Sequence, residues 1–346
     1  MAEIKRYVDT GAVAGGNGTT AGTANDGNQA YQTLGQWEAA TQQDLTDGGG
    51  DFATVHCNRT NGGGVDQAAC FIYSWVTGAS NYIEITADDF PEDGKYDSTK
   101  YVIENNDDGE YAISVCEDYV RIRKLQILAT ATGTNIRSGI LFQLIASPSS
   151  IIIDSCIFVG ACTTTGYCRA IYCFDADATV TIYNSVFYGF LNGESIYARA
   201  IMVTNGTVNI YNCTIAGNYY GILQAGGTIT AKNCAIFKNT NDIDGTITLN
   251  YCATDDGDDT GNNGNITITQ SADDWAALVT DAAGGDFSVT DTSSELYDAG
   301  TADLFTEDDD IIDVARPEGS AWDIGAFEWE VVGEPATFGQ VIMIGN

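Results

Sequence analysis

Three arginines recur at nearly the same place in a repeating pattern, and their side chains are the ones here best suited to grip an anionic polymer. Arg169 and Arg199 share one register, in Arg169-Ala-Ile-Tyr172 and Arg199-Ala-Ile-Met202, while Arg137 falls one place away, beside Ser138-Gly-Ile-Leu141. A guanidinium holds a carboxylate through two parallel hydrogen bonds, so a ladder of Arg137, Arg169 and Arg199 is a candidate glycan-binding subsite for a uronate chain. The competing assignment pairs the same three with acids on neighbouring strands.

Other reactive types are thinly spread. The loop Asp255-Asp-Gly-Asp-Asp-Thr-Gly-Asn-Asn-Gly-Asn265 gathers carboxylates and amides, and Asp255, Asp256, Asp258 and Asp259 are able to ligate Ca²⁺. It lacks EF-hand spacing and the terminal Glu, as does Glu307-Asp-Asp-Asp310, which favours a solvated loop in both places. Beyond Ca²⁺ no cofactor is expected. Cys162, Cys168 and Cys173 lie close together without CxxC spacing, and the only His is His56, so these cysteines read as buried thiols rather than zinc ligands. No Gly-x-Ser-x-Gly, phosphate-binding loop, dinucleotide fingerprint or His-Glu-x-x-His occurs, which leaves serine hydrolase, NTPase, oxidoreductase and zinc protease readings without support.

The elements that position these residues are legible as repeats. Ser150-Ile-Ile-Ile-Asp-Ser-Cys-Ile-Phe158 is followed by Thr179-Val-Thr-Ile-Tyr-Asn-Ser-Val-Phe187 and Thr207-Val-Asn-Ile-Tyr-Asn-Cys-Thr-Ile215. Thr228-Ile-Thr-Ala-Lys-Asn-Cys-Ala-Ile236 and Thr246-Ile-Thr-Leu-Asn-Tyr-Cys-Ala-Thr254 continue the series, and Tyr119 to Ile127 is a looser early copy. Apolar residues alternate within each copy, which is strand periodicity. The arginine-bearing segments form a second column between the copies, so each coil carries strands in fixed phase, joined by turns too short for helices. Parallel stacking of coils satisfies this, and the crossover rule gives the right hand. The expected fold is all-β: a single-stranded right-handed parallel β-helix, a solenoid of three-strand coils.

Two ladders should line that solenoid. Cys156, Ser185, Cys213, Cys234 and Cys252 occupy one column and are read as reduced core residues. Asp154, Asn184, Asn212 and Asn233 are assigned to the preceding slot, where a side chain tolerant of left-handed geometry would turn the chain and bond its neighbours. In the last copy Tyr251 takes that slot, which predicts a different turn.

Exposed edges at a solenoid's ends invite aggregation, so caps are expected. Thr33-Leu-Gly-Gln36 fits a capping box, and Leu34, Trp37, Thr41 and Leu45 share one helical face. Ser271-Ala-Asp-Asp274 before Trp275 and Leu278 suggests a second short helix. The chain therefore divides into a Gly-rich N-terminal arm (1–30), flexible or meandering from Gly15 to Asn28; a capping helix (31–48); the β-helix with a closing segment (51–329); and an apolar tail (330–346). In that tail Phe338, Val341, Ile342, Met343 and Ile344 are too apolar to be idle and suit attachment or oligomerisation.

With 14 basic and 48 acidic residues the formal charge is −34, a surface that repels nucleic acid, anionic lipid and acidic polysaccharide alike. No apolar run is long enough for membrane insertion. No apolar stretch follows Met1-Ala-Glu-Ile-Lys-Arg6, so synthesis in a cytoplasm without a Sec signal peptide is expected.

The repeat form, apolar-x-Ile-x-Asn-Cys-x-Ile with a later Gly-Ile, resembles the right-handed parallel β-helix repeats of the pectate-lyase-like superfamily. Tyr297-Asp-Ala-Gly-Thr301 and Ala315-Arg-Pro-Glu-Gly-Ser-Ala-Trp-Asp-Ile-Gly-Ala-Phe-Glu328 resemble the closing segment of uncharacterised bacterial and phage β-helix proteins. Arg6-Tyr-Val-Asp9 with Ala30-Tyr-Gln-Thr-Leu34 is similar to their opening. The resemblance implies a range of functions: polysaccharide lyases, glycoside hydrolases, adhesins and virion spikes, the spikes often homotrimers. A polygalacturonase-like enzyme would add Gly-His-Gly and Arg-Ile-Lys, but His56 stands in Val-His-Cys and the nearest echo is Arg121-Ile-Arg-Lys124. A pectate-lyase-like one would use Ca²⁺ and an Arg base.

With no complete catalytic set in the sequence, the reading is a structural β-helix of a phage virion or similar surface assembly, as fibre, spike or capsid decoration. Its expected partners are other proteins of that assembly and a cell-surface glycan, and its place is the virion surface or an extracellular assembly. The alternatives are a polysaccharide lyase, hydrolase or carbohydrate-binding protein, and a bacterial surface adhesin.

Overall fold

The computed structural model describes residues 2–47, 51–60, 62–105, 111–131, 136–143, 145, 149–162, 166–191, 197–257, 263–269, 275–302 and 309–330. Short alternating segments such as Thr179–Tyr183 and Thr207–Tyr211 bury every second side chain, and stacking them in register closes their hydrogen bonds. The result is three parallel sheets of nine, eight and seven strands. The first sheet runs from Glu3–Asp9 to Thr248–Asn250, the second from Val102–Asn105 to Ile266–Thr267 and the third from Cys70–Ile72 to Asn241–Asp244. Each regular coil visits the three in turn, as in Val120–Arg123, Gln126–Ala131 and Arg137–Phe142. The chain is a parallel β-helix.

The corner between the first and second sheets is a single residue in left-handed geometry. Lys124, Ser155, Asn184, Asn212, Asn233 and Tyr251 all have φ between 47° and 53°. This corrects the ladder assignment by one place in its first rung: Asp154 pairs across from Tyr183, and Ser155 turns the chain. Asp154 still joins the ladder through its side chain, accepting from Asn184 Nδ2 at 3.3 Å. Tyr251 turns the backbone as Asn does, so the last turn does not differ.

Behind this corner Cys156, Ser185, Cys213, Cys234 and Cys252 are fully buried, with Leu125 heading the column. The four cysteines are unbonded thiols, and their sulfurs donate to backbone carbonyls, Cys213 Sγ to Tyr211 O at 3.1 Å and Cys234 Sγ to Lys232 O at 3.2 Å. Burial pushes the Cys156 thiol up to about 12 and those of Cys234 and Cys252 well above their ordinary value, which keeps them protonated and unreactive. The thiol reading fails at one pair. Cys162 and Cys168 are bonded to each other, because the end of a second-sheet strand and the start of a third-sheet strand bring their Cα atoms to 6.3 Å.

A helix, α1 (Leu34–Thr41), closes the N-terminal end. Thr33 accepts from Gln36 N, and the buried Asp66 carboxylate accepts from Leu34 N at 2.7 Å and from Tyr101 Oη at 2.7 Å. Leu34, Trp37 and, beyond the helix end, Leu45 enter the interior core. The segment before it is not a loose arm. Glu3–Asp9 pairs residue for residue with Phe52–Asn58, and Gly18, Thr20 and Ala30 make backbone bonds that fold the Gly-rich stretch back toward that strand.

At the other end the chain turns back instead of adding coils. Residues 275–302 and 309–330 lie along the outer face of the second sheet, where Leu278, Phe287, Leu296, Ile324 and Phe327 form a second core with Ile157, Val186, Ala235 and Phe237. The second sheet is therefore buried on both faces. Of the second helix expected near residue 271, only a 3-10 turn at Trp275–Ala277 falls among the described residues. Ser271 to Asp274, Glu307 and Asp308, and the tail residues Phe338, Val341, Ile342, Met343 and Ile344 lie outside them.

Candidate functional site

Ladder register decides which side chains share a surface. In the third sheet Leu141 pairs with Tyr172, Tyr172 with Met202 and Met202 with Leu223, making one straight row over four coils. Ser114 and Asp244 stand at its two ends. Leu141 is buried, whereas Tyr172, Met202 and Leu223 are half-buried and belong to neither core. The neighbouring row is Ser138, Arg169, Arg199, Tyr220 and Asn241. Small residues at Gly139 and Ala170 let these coils approach: a Cβ on Gly139 would stand 2.7 Å from Ala170 O.

The arginines of the candidate subsite are held together but are not open to solvent. Arg137, Arg169 and Arg199 are 7%, 5% and 8% exposed. The Arg169 guanidinium lies 4.1 Å from the Tyr172 ring centre and 4.6 Å from that of Tyr167, and Arg199 lies 5.2 Å from Tyr167. Tyr167 in turn packs on Tyr197 at 4.6 Å, and Tyr172 on Phe174, itself 53% exposed, at 5.8 Å. Burial lowers the affinity of Arg199 for its proton, opposed by Tyr167, Tyr220, Tyr172 and Tyr197. Each cation–π contact is worth about 0.5–2 kcal/mol, so the cations stiffen a patch of rings. What this surface offers a ligand is half-exposed aromatic and aliphatic faces edged by phenol hydroxyls. That suits stacking on the C–H faces of sugar rings.

A second concavity lies on the first sheet. It encloses about 260 Å³ between Glu84, Arg123, Lys124, Asp154 and the returning segment at Asp309, Asp310 and Asp313. Its cations are engaged: Arg123 pairs with Asp154 at 3.3 Å and Lys124 with Asp313. Arg121 stacks 3.6 Å over Tyr82. His56 hydrogen-bonds Asp88 at 2.5 Å and lies elsewhere on that sheet.

In the Asp-rich loop, Asp255 accepts from Lys238 N at 3.1 Å and Asp256 from Asp242 N at 2.9 Å, so these carboxylates cap backbone amides. Asp258 and Asp259 lie outside the described residues. Among the described residues no three His, Cys, Asp or Glu side chains converge as metal ligands. The loop instead ends an amide ladder that sequence reading missed. Asn218 Nδ2 donates to Asn239 Oδ1 at 2.9 Å, and Asn239 Nδ2 to Asp242 Oδ1 at 2.9 Å. Gly217-Asn218 and Lys238-Asn239 in matching copies were its only signal.

The closing motif is structural throughout. Arg316 and Glu328 form a fully buried pair at 3.2 Å, and Arg316 also donates to the carbonyls of Asp323 and Gly325. Gly325, at φ +116°, leaves room where a Cβ would stand 2.8 Å from Thr214 Oγ1. Asn233 of the ladder donates to Thr301 O and accepts from Thr301 N, so body and closing segment are tied together.

No protein-family model matches the sequence, and no curated protein matches it. Among solved structures, the crystal structure of pectate lyase Pel9A is similar to this chain. The identity is 14%, the TM-score is 0.47, and the match covers 95% of this chain and 97% of that one. A likeness this distant says nothing about activity.

Proposed function

We propose that this chain is a structural, non-catalytic β-helix of a phage virion or similar surface assembly, and that its third sheet binds a surface glycan. The observation that carries the glycan assignment is the stacking of Arg169 between Tyr172 and Tyr167, continued to Tyr197, Arg199 and Phe174. Rigid rings lose little entropy on binding, and the stacked cations keep them so. A body closed by a helix at one end and strapped along one sheet suits a stiff scaffold. The acidic surface, at −34, favours neutral glycans over uronates.

Polysaccharide cleavage has one observation in its favour, the acid-rich concavity holding Arg123 and Lys124. Incubating the protein with neutral and uronic polysaccharides, with and without Ca²⁺, separates the readings. Binding without depolymerisation is expected; depolymerisation lost in Lys124→Ala or Arg169→Ala would establish the enzyme instead.

A further inference from the structure

Resting on that glycan-binding reading, we infer that the ligand is a linear, neutral polysaccharide laid along the solenoid axis, with successive sugar rings on Tyr172, Met202 and Leu223. The unbroken register places these three side chains in one line, one per coil. Parallel strands repeat at about 4.8 Å, close to the length of one pyranose unit in an extended chain, so each sugar ring meets one rung. A pyranose ring has apolar faces and a rim of hydroxyls. The sheet has the matching arrangement: an apolar row beside a row in which Tyr220 and Asn241 are half-buried.

Charge decides between occupants. A second copy of this chain would bring another −34 to the same face, and a polyuronate would bring a carboxylate per ring, whereas a neutral glycan meets no such repulsion. On one side the row runs on through Leu141 and Ser114, both buried, and on the other it ends at the exposed Asp244, so the accessible stripe holds about three rings at the ~4.8 Å strand spacing.

The test is calorimetric titration of the full chain with neutral β-linked gluco- and manno-oligosaccharides of one to six units, beside polygalacturonate. Affinity should rise with each unit to about three at the ~4.8 Å spacing and then level off, and polygalacturonate should bind more weakly. Tyr172→Ala and Met202→Asp should each weaken binding of the trisaccharide by about tenfold or more, a difference of about 1.4 kcal/mol. An unchanged melting temperature in Met202→Asp separates a lost contact from a lost fold. Length-independent binding would overturn the axial arrangement while leaving glycan binding intact. Absence of binding to any glycan, neutral or uronic, would overturn both, and a change of oligomeric state in Met202→Asp would assign the stripe to a second copy.

Discussion

At the scale of single residues, geometry outranks residue type. The corner slot holds Lys124, Ser155 and Tyr251 in the same left-handed geometry as Asn, because the turn is fixed by the coils on either side. That explains why the Asp154 slip was invisible in the sequence: Asp is a good turn former, and nothing in Ile-Asp-Ser-Cys marks Ser155 as the turning residue. The cysteine column was legible because one small buried side chain recurs at one phase. The arginines misled in the other direction, since their spacing was plain but their cover comes from Tyr167 and Tyr172 in three dimensions. Asn233 tests the ladder. Replacing it with Ala removes bonds to Asn212 and Thr301 and leaves a non-glycine residue at φ 53°. A loss of about 2–4 kcal/mol is expected in chemical denaturation, with Asn233→Gly about 1 kcal/mol milder because it tolerates the turn.

Among the elements, the cap and the three-strand coil could be read directly, since a capping box and period-two alternation are local patterns. The strap over the second sheet could not. Strands such as Thr214–Ala216 and Ala235–Phe237 are three residues long and buried on both faces, too short for alternation to announce which face meets what. Their outer partners, Leu278 through Phe327, lie far along the chain. The N-terminal strand was likewise hidden by the Gly-rich stretch behind it. The cap carries its own prediction. Trp37 is 1% exposed, so Trp37→Ala should cost about 3–5 kcal/mol, and the uncovered first coil should raise concentration-dependent self-association in sedimentation.

Taken whole, the molecule holds buried carboxyls against their preference. Burial raises Asp66 to about 6 and Glu328 to about 7, and raises Asp242 in the same direction. A carboxyl whose folded pKa lies above its unfolded value binds more protons when folded. Stability then falls as pH rises through that window, from about 4 to about 7. Relief of repulsion among 48 acidic residues acts with the same sign. The melting temperature should therefore climb as pH drops from 8 to about 5. Below about 4 the gain should reverse, as groups such as Asp97, held low by the Thr99 hydroxyl, take up protons. Melting scans across pH check this, and a midpoint that falls steadily from pH 8 to 5 would contradict it.

Function is also a property of the whole solenoid, because two faces compete for it: the ringed stripe of the third sheet and the acid-rich concavity of the first. Hydroxyl-radical footprinting with and without a bound neutral glycan locates the ligand in one experiment. Protection at Tyr172, Met202, Phe174 and Leu223 is the predicted result. Protection confined to the surroundings of Arg123, Lys124 and Asp154 would contradict it and return the molecule to the enzymes.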